Sequence, residues 1–179
     1  MKKLFLLLAL LFANNALSQT YAEKVAKSKA LVGQPVQTHT FYTLDKKPVS
    51  FEDFNGEPVV AYFFASWCSP CYGSLTNLHQ AIEDTPPTVR VVAISLDEEW
   101  ENLERMLDKT GFTGEVWKWN AEESALQQRL FANFSASLPH IIKVNDKGVL
   151  IEAGSRIKTA EQWSAVINQK RSLHDASKI

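Results

Sequence analysis

Apolar positions in this chain fall into two continuous runs and a succession of periodic stretches. Val59 to Ala65 (VVAYFFA) is apolar on both faces, the pattern of a central strand covered on each side. After it, Cys71, Leu75, Leu78 and Ile82 recur at spacings of four, three and four, one apolar stripe along a helix that Thr85-Pro86-Pro87 ends. Val89 to Ile94 predicts a second strand, and Asp97 a cap for a helix carrying Trp100, Leu103 and Leu107 up to Gly111. Val116 to Trp119 predicts a short strand, and Glu122 to Phe134 a helix with Leu126, Leu130, Phe131 and Phe134 inward. His140 to Val144 and Val149 to Glu152 form a hairpin about Asn145-Asp146-Lys147-Gly148. Thr159 to Gln162 is a capping box ahead of Trp163, Val166 and Ile167. Upstream, Thr38 to Phe54 reads as a ribbon turning at Asp45-Lys46-Lys47-Pro48, and Tyr21 to Ala30 as a weakly helical, mobile lead-in. Strands alternating with helices, then a hairpin and a helix, predict a mixed α/β sheet in one domain.

The other apolar run, Leu4 to Ala13, stands apart from this pattern. Lys2 and Lys3 precede it and Ala16-Leu17-Ser18 follow it, which is the layout of a secretory signal peptide spanning residues 1–18. It is too short for a hydrocarbon core about 30 Å thick, which takes roughly 20 residues. No cysteine follows it to carry a lipid. Cleavage of 18 of the 179 residues leaves 161, enough for one core, and loss of Lys2 and Lys3 moves the net charge from −1 to −3. That balance gives no reason to expect nucleic acid or an anionic membrane as partner. The division is a signal peptide at 1–18, a lead-in at 19–35, the folded domain at 36–169 and a polar tail at 170–179.

The chemistry lies in the two cysteines, which sit three positions apart at the junction of strand and helix, in Ser66-Trp67-Cys68-Ser69-Pro70-Cys71. A structural staple this short gains little: about 2 kcal/mol for a four-residue loop against about 3 for fifteen. A cysteine in the first turn of a helix meets unpaired N–H groups and the positive end of the macrodipole, and both favour its thiolate. Pro70 fits there because first-turn N–H groups have no intrahelical acceptor. The roles that follow are Cys68 as attacking thiolate and Cys71, one turn in and facing the core, as resolving thiol, with Trp67 shielding one side. Structural zinc would want a second pair or closely spaced histidines, whereas His39, His79, His140 and His174 are scattered. No cofactor fingerprint is present. Trp100, Trp117, Trp119 and Trp163 read as core.

The apolar strand, the W-C-S-P-C sequence, the helix after it and Ser137-Leu138-Pro139 before the closing hairpin resemble the thioredoxin superfamily. Within it, the leader, the N-terminal hairpin and the helix-plus-strand segment around Glu98–Asn120 are similar to the TlpA/ResA-like branch of exported thiol–disulfide oxidoreductases. The resemblance spans Val36 to Gln169. It implies a thioredoxin-like mixed sheet flanked by helices, and a cis Pro139 opposite the redox pair, with Leu138 and His140 beside it. The chain departs from the family at four positions. Tyr62 and Ser74 stand where relatives carry buried carboxylates, and Thr76 stands at a frequent proline. His140 replaces a frequent threonine after the cis-proline, so its imidazole becomes a candidate for moving protons and favouring the Cys68 thiolate.

The expected function is disulfide exchange with exported proteins, reduction being the expected direction, in the periplasm of a Gram-negative bacterium. Partners would be substrates carrying disulfides or thiols and a further redox protein, with no stable membrane insertion after cleavage. Two alternatives use the same cysteines: a copper-handling protein with Cys68, Cys71 and His140 as soft ligands, and a thiol peroxidase.

Overall fold

In the computed structural model, which describes residues 20–54, 56–119, 128–154 and 157–169, the lead-in is a defined helix, Tyr21–Ala30 (α1). The Thr20 hydroxyl accepts the Glu23 N–H and the Glu23 carboxylate accepts the Thr20 N–H, a reciprocal cap that offsets the weak apolar pattern. Beyond it the chain is tied down: Gly33 N–H donates to the Leu150 carbonyl, Leu150 N–H to Gln34, and Val36 N–H to Gly148. The expected signal peptide and polar tail lie outside the described residues. No helix among the described residues is long and apolar enough to cross a membrane.

The N-terminal ribbon is shorter than its apolar pattern. Phe41–Thr43 (β1) pairs antiparallel with Pro48–Val49 (β2), and Phe51–Phe54 closes into a 3-10 turn because the Asp53 carboxylate accepts the Ser50 N–H. Val59–Phe64 (β3), Arg90–Ser95 (β4), Glu115–Trp119 (β5), His140–Val144 (β6) and Leu150–Ala153 (β7) complete one seven-stranded sheet ordered β2-β1-β5-β4-β3-β6-β7. β3 pairs parallel with β4 and antiparallel with β6, so all six of its side chains are buried. This is the mixed α/β architecture that the strand and helix pattern predicts.

The other helices among the described residues are Ser69–Asp84 (α2), Trp100–Thr110 (α3) and Ala160–Ile167 (α4). α2 buries Cys71, Leu75, Leu78 and Ala81, while Ile82, near the end of the stripe, is half-buried. Gly111 ends α3 in the left-handed conformation, φ 69°, with its N–H on the Leu107 carbonyl. Asp97 does not cap α3, contrary to the sequence pattern. Glu99 occupies the cap position without a side-chain bond, and Asp97 is drawn inward by donors from two strand ends. The predicted Glu122–Phe134 helix differs too. Residues 120–127 lie outside the description, and Gln128–Phe131 is a 3-10 turn that Ala132 breaks with φ 59°. Phe131 is buried, whereas Leu130 and Phe134 are half-buried.

Successive side chains of β3 divide the core between two faces. Tyr62 and Phe64 stack on one face, where Tyr62 meets Trp163 of α4 edge to face. Phe63 points to the other, into an aromatic layer with Trp119 and Phe131. Phe41, Phe51 and Trp117 extend that layer, with ring centroids 5.4–5.7 Å apart.

Candidate active site

The C-terminal end of β3 turns sharply at Ala65–Cys68, closed by the Cys68 N–H on the Ala65 carbonyl at 3.1 Å. That turn delivers Cys68 to the cap position of α2, with Pro70 in the first helical turn. Cys71 N–H donates to the Cys68 carbonyl, and the two sulfurs are bonded at 2.04 Å with Cα atoms 5.3 Å apart. Cys68 keeps 6% exposure and Cys71 none, so the two sulfurs are inequivalent. Trp67 is 67% exposed and Tyr72 43%, two apolar rings left at the rim of the centre.

The other wall is the Leu138–Pro139 peptide, which is cis. Pro70, Ser74, Leu138, Pro139, Ile157 and Lys158 line a shared groove of about 450 Å³ that runs beside the first turn of α2. The loop carrying Pro139 is fixed by Asn133, a buried side chain. Its amide donates to the Ser137 carbonyl (3.0 Å) and to Gln128 Oε1 (2.7 Å), and its oxygen accepts the Ser137 N–H (3.2 Å). Sequence patterning passed over Asn133 and Gln128, since both fall in what reads as a helix face.

His140 opens β6 and is buried, with its Nε2–H donating to the Phe131 carbonyl at 2.7 Å. Burial pushes its pKa down to about 4, against a weaker upward pull from that carbonyl. With its pKa held low the imidazole favours the neutral form near neutral pH, and its Nε2–H anchors the turn that leads into the Pro139 loop.

Beneath Cys71 the residues replacing the family's carboxylates form a neutral network. The Tyr62 hydroxyl donates to the Cys71 carbonyl at 3.1 Å, Ser74 Oγ donates to the Ile157 carbonyl, and Trp163 Nε1 donates to the Ser74 carbonyl. Burial pushes the Tyr62 hydroxyl well above its usual range, with the Ser74 hydroxyl pulling weakly the other way, so it stays protonated. On the opposite side Asp97, 1% exposed, accepts the Ser66 N–H and the Ser66 and Ser95 hydroxyls. Its position directly after a strand parallel to β3 is the signal that would have found it. The ends of two parallel neighbours lie together, so Asp97 faces the turn that follows β3.

A strand–turn–helix carrying a disulfide at the helix start, faced by a cis-proline just ahead of an adjacent strand, is the arrangement of a thioredoxin-like redox scaffold. Residues 55–148 match the thioredoxin-like family, and the chain belongs to it. Solved structures share the fold. The thioredoxin domain of a thiol-disulfide oxidoreductase from Bacteroides vulgatus is similar at 18% identity and a TM-score of 0.63, over 76% of this chain and 94% of its own. A secreted Mycobacterium tuberculosis disulfide oxidoreductase, homologous to E. coli DsbE, is 17% identical with a TM-score of 0.57, over 72% and 93%. StoA from Bacillus subtilis is 18% identical with a TM-score of 0.57, over 73% and 96%. No curated protein matches the sequence. The resemblance to the thioredoxin superfamily, read from the motifs, holds.

Proposed function

We propose that the protein is an exported thiol–disulfide oxidoreductase that reduces disulfides in other proteins. The observation carrying this reading is the asymmetry of the pair, a partly exposed Cys68 at the start of α2 bonded to a fully buried Cys71. In the reduced protein the Cys68 thiolate attacks a substrate disulfide, forming a mixed disulfide and releasing one substrate thiol. Cys71 gives up its proton and attacks Cys68 Sγ. The second substrate thiol leaves, and the Cys68–Cys71 disulfide remains, two electrons and two protons having passed to the substrate. Pro139, Leu138 and Pro70 border the groove in which the substrate chain would lie, and Trp67 offers an apolar contact. His140 supports the Pro139 loop from behind through its bond to Phe131. Export rests on the leader-like segment at residues 1–18.

Insulin reduction by the dithiol protein tests the activity, and trapping tests the roles. Cys71→Ser is expected to accumulate mixed disulfides on non-reducing gels, whereas Cys68→Ser traps little. Equal trapping by both variants, or no insulin reduction, overturns the reading.

A further inference from the structure

Asp97 has a chemical consequence that none of the roles above uses. A carboxylate excluded from water costs several kcal/mol unless donors converge on it. Here three do: the Ser66 N–H reaches both oxygens at 3.0 and 3.1 Å, the Ser66 hydroxyl reaches Oδ1 at 2.6 Å, and the Ser95 hydroxyl reaches Oδ2 at 2.8 Å. Ser66 belongs to the turn Ala65–Cys68, whose closing bond is the Cys68 N–H on Ala65. The carboxylate thus grips the backbone two residues before the attacking sulfur and leaves a fixed negative charge behind that turn. Lys118 of β5, paired in register with Ser95 and itself buried, is the nearby opposing charge. Burial lowers its pKa, and Asp97, Glu99 and Glu98 pull it back up.

We propose that Asp97 is a positioning residue for the redox turn whose buried charge holds the Cys68 thiol protonated to higher pH than the start of α2 alone would set, biasing the centre toward donating electrons. The inference rests on the reading of Cys68 as the attacking sulfur. A negative charge near a thiolate disfavours it, and a less stabilised thiolate makes the dithiol form the stronger reductant. Other charged groups around the turn are Glu98 and Glu99 after β4, Arg105 and Lys109 of α3 lining a pocket with Ser66 and Tyr72, and Lys158 beside Pro70. His140 of β6 is neutral at working pH. All of these except Asp97, Lys118 and His140 are solvent-exposed, so water and salt screen them more than they screen the buried pair.

The test is the pH dependence of Cys68 alkylation by iodoacetamide in the Cys71→Ser protein, with Asp97→Asn, Asp97→Ala and Lys118→Met added singly. Asp97→Asn keeps an acceptor for Ser66 and loses the charge. Its alkylation curve is expected to move downward by about one pH unit, the order of shift that one buried charge exerts. Asp97→Ala should move it the same way with slower disulfide exchange, and Lys118→Met should move it upward. With both cysteines present, Asp97→Asn should raise the dithiol fraction at pH 8 and a fixed glutathione ratio, by up to about tenfold. An unmoved Asp97→Asn curve beside a slowed Asp97→Ala protein would make Asp97 a scaffold only and overturn the proposal. If the Asp97 variants do not fold, a Lys118→Met curve that stays put or moves downward overturns it. Failure of the unsubstituted protein to reduce insulin overturns the functional reading and this inference with it.

Discussion

Lowering the pH should destabilise this protein through His140 in a defined window. In the folded chain burial holds the imidazole neutral down to about pH 4, while in the unfolded chain it takes a proton at the ordinary 6.5. Between those values the unfolded state binds the extra proton, so stability rises with pH there and is lost as pH falls from 6.5 toward 4. Above 6.5 both states are neutral and below 4 both are protonated, so neither side adds further change. The gap corresponds to about 3 kcal/mol, at about 1.4 kcal/mol for each tenfold difference in proton affinity. That is a large share of the 5–15 kcal/mol of roughly typical domain stability. The matching variant is His140→Gln, which retains an N–H donor for the Phe131 carbonyl and cannot titrate. Guanidinium unfolding of the oxidised protein at pH 7 and pH 4.5 should show the unsubstituted chain losing about 2–3 kcal/mol more than the variant over that interval. Carboxylates contribute equally to both proteins and cancel in the comparison. Parallel losses would refute the burial argument and restore His140 as a group able to carry charge beside the redox pair.

Three further outcomes follow from other contacts. Gly111→Ala places a Cβ at φ 69° and should cost about 1 kcal/mol in urea unfolding, with insulin reduction unchanged. Asn133→Ala frees the Ser137 N–H and carbonyl together, so it should destabilise by about 2 kcal/mol, increase amide exchange across residues 135–138 and slow insulin reduction. Tyr62→Phe removes the hydroxyl bound to the Cys71 carbonyl and should cost about 1 kcal/mol while leaving the pH curve of Cys68 alkylation in place, because the lost group was uncharged.

What the sequence made legible was local. The Val59–Ala65 run, the Cys71–Leu78 stripe, the Gly111 stop and the Thr159 capping box each encode their element in neighbouring residues, and each is found where the pattern puts it. Asp97 misled because a capping pattern and a tertiary anchor look alike in one dimension, and the partners that decided between them are Ser66 and Ser95. Tyr62 was read as a missing acid, yet its hydroxyl holds the Cys71 carbonyl across a gap of nine residues that no periodicity describes. The histidine after Pro139 carried the same ambiguity, and its partner is a carbonyl nine residues upstream that strand alternation does not describe.

The strap at residues 33–36 bears on how the open borders of the sheet are kept from pairing with other chains. An open sheet ends in two rows of unpaired backbone groups, each a template for any extended chain that passes. Here one border is β2, two residues long and carrying Pro48, which has no N–H to offer. At the other border the strap pairs with residues 148–150 and occupies the first donors and acceptors of β7. In the proposed exchange with loosely folded, cysteine-bearing chains, open borders would invite strand-on-strand aggregation. With both blunted, release of a client after the proposed exchange would not have to compete with sheet growth.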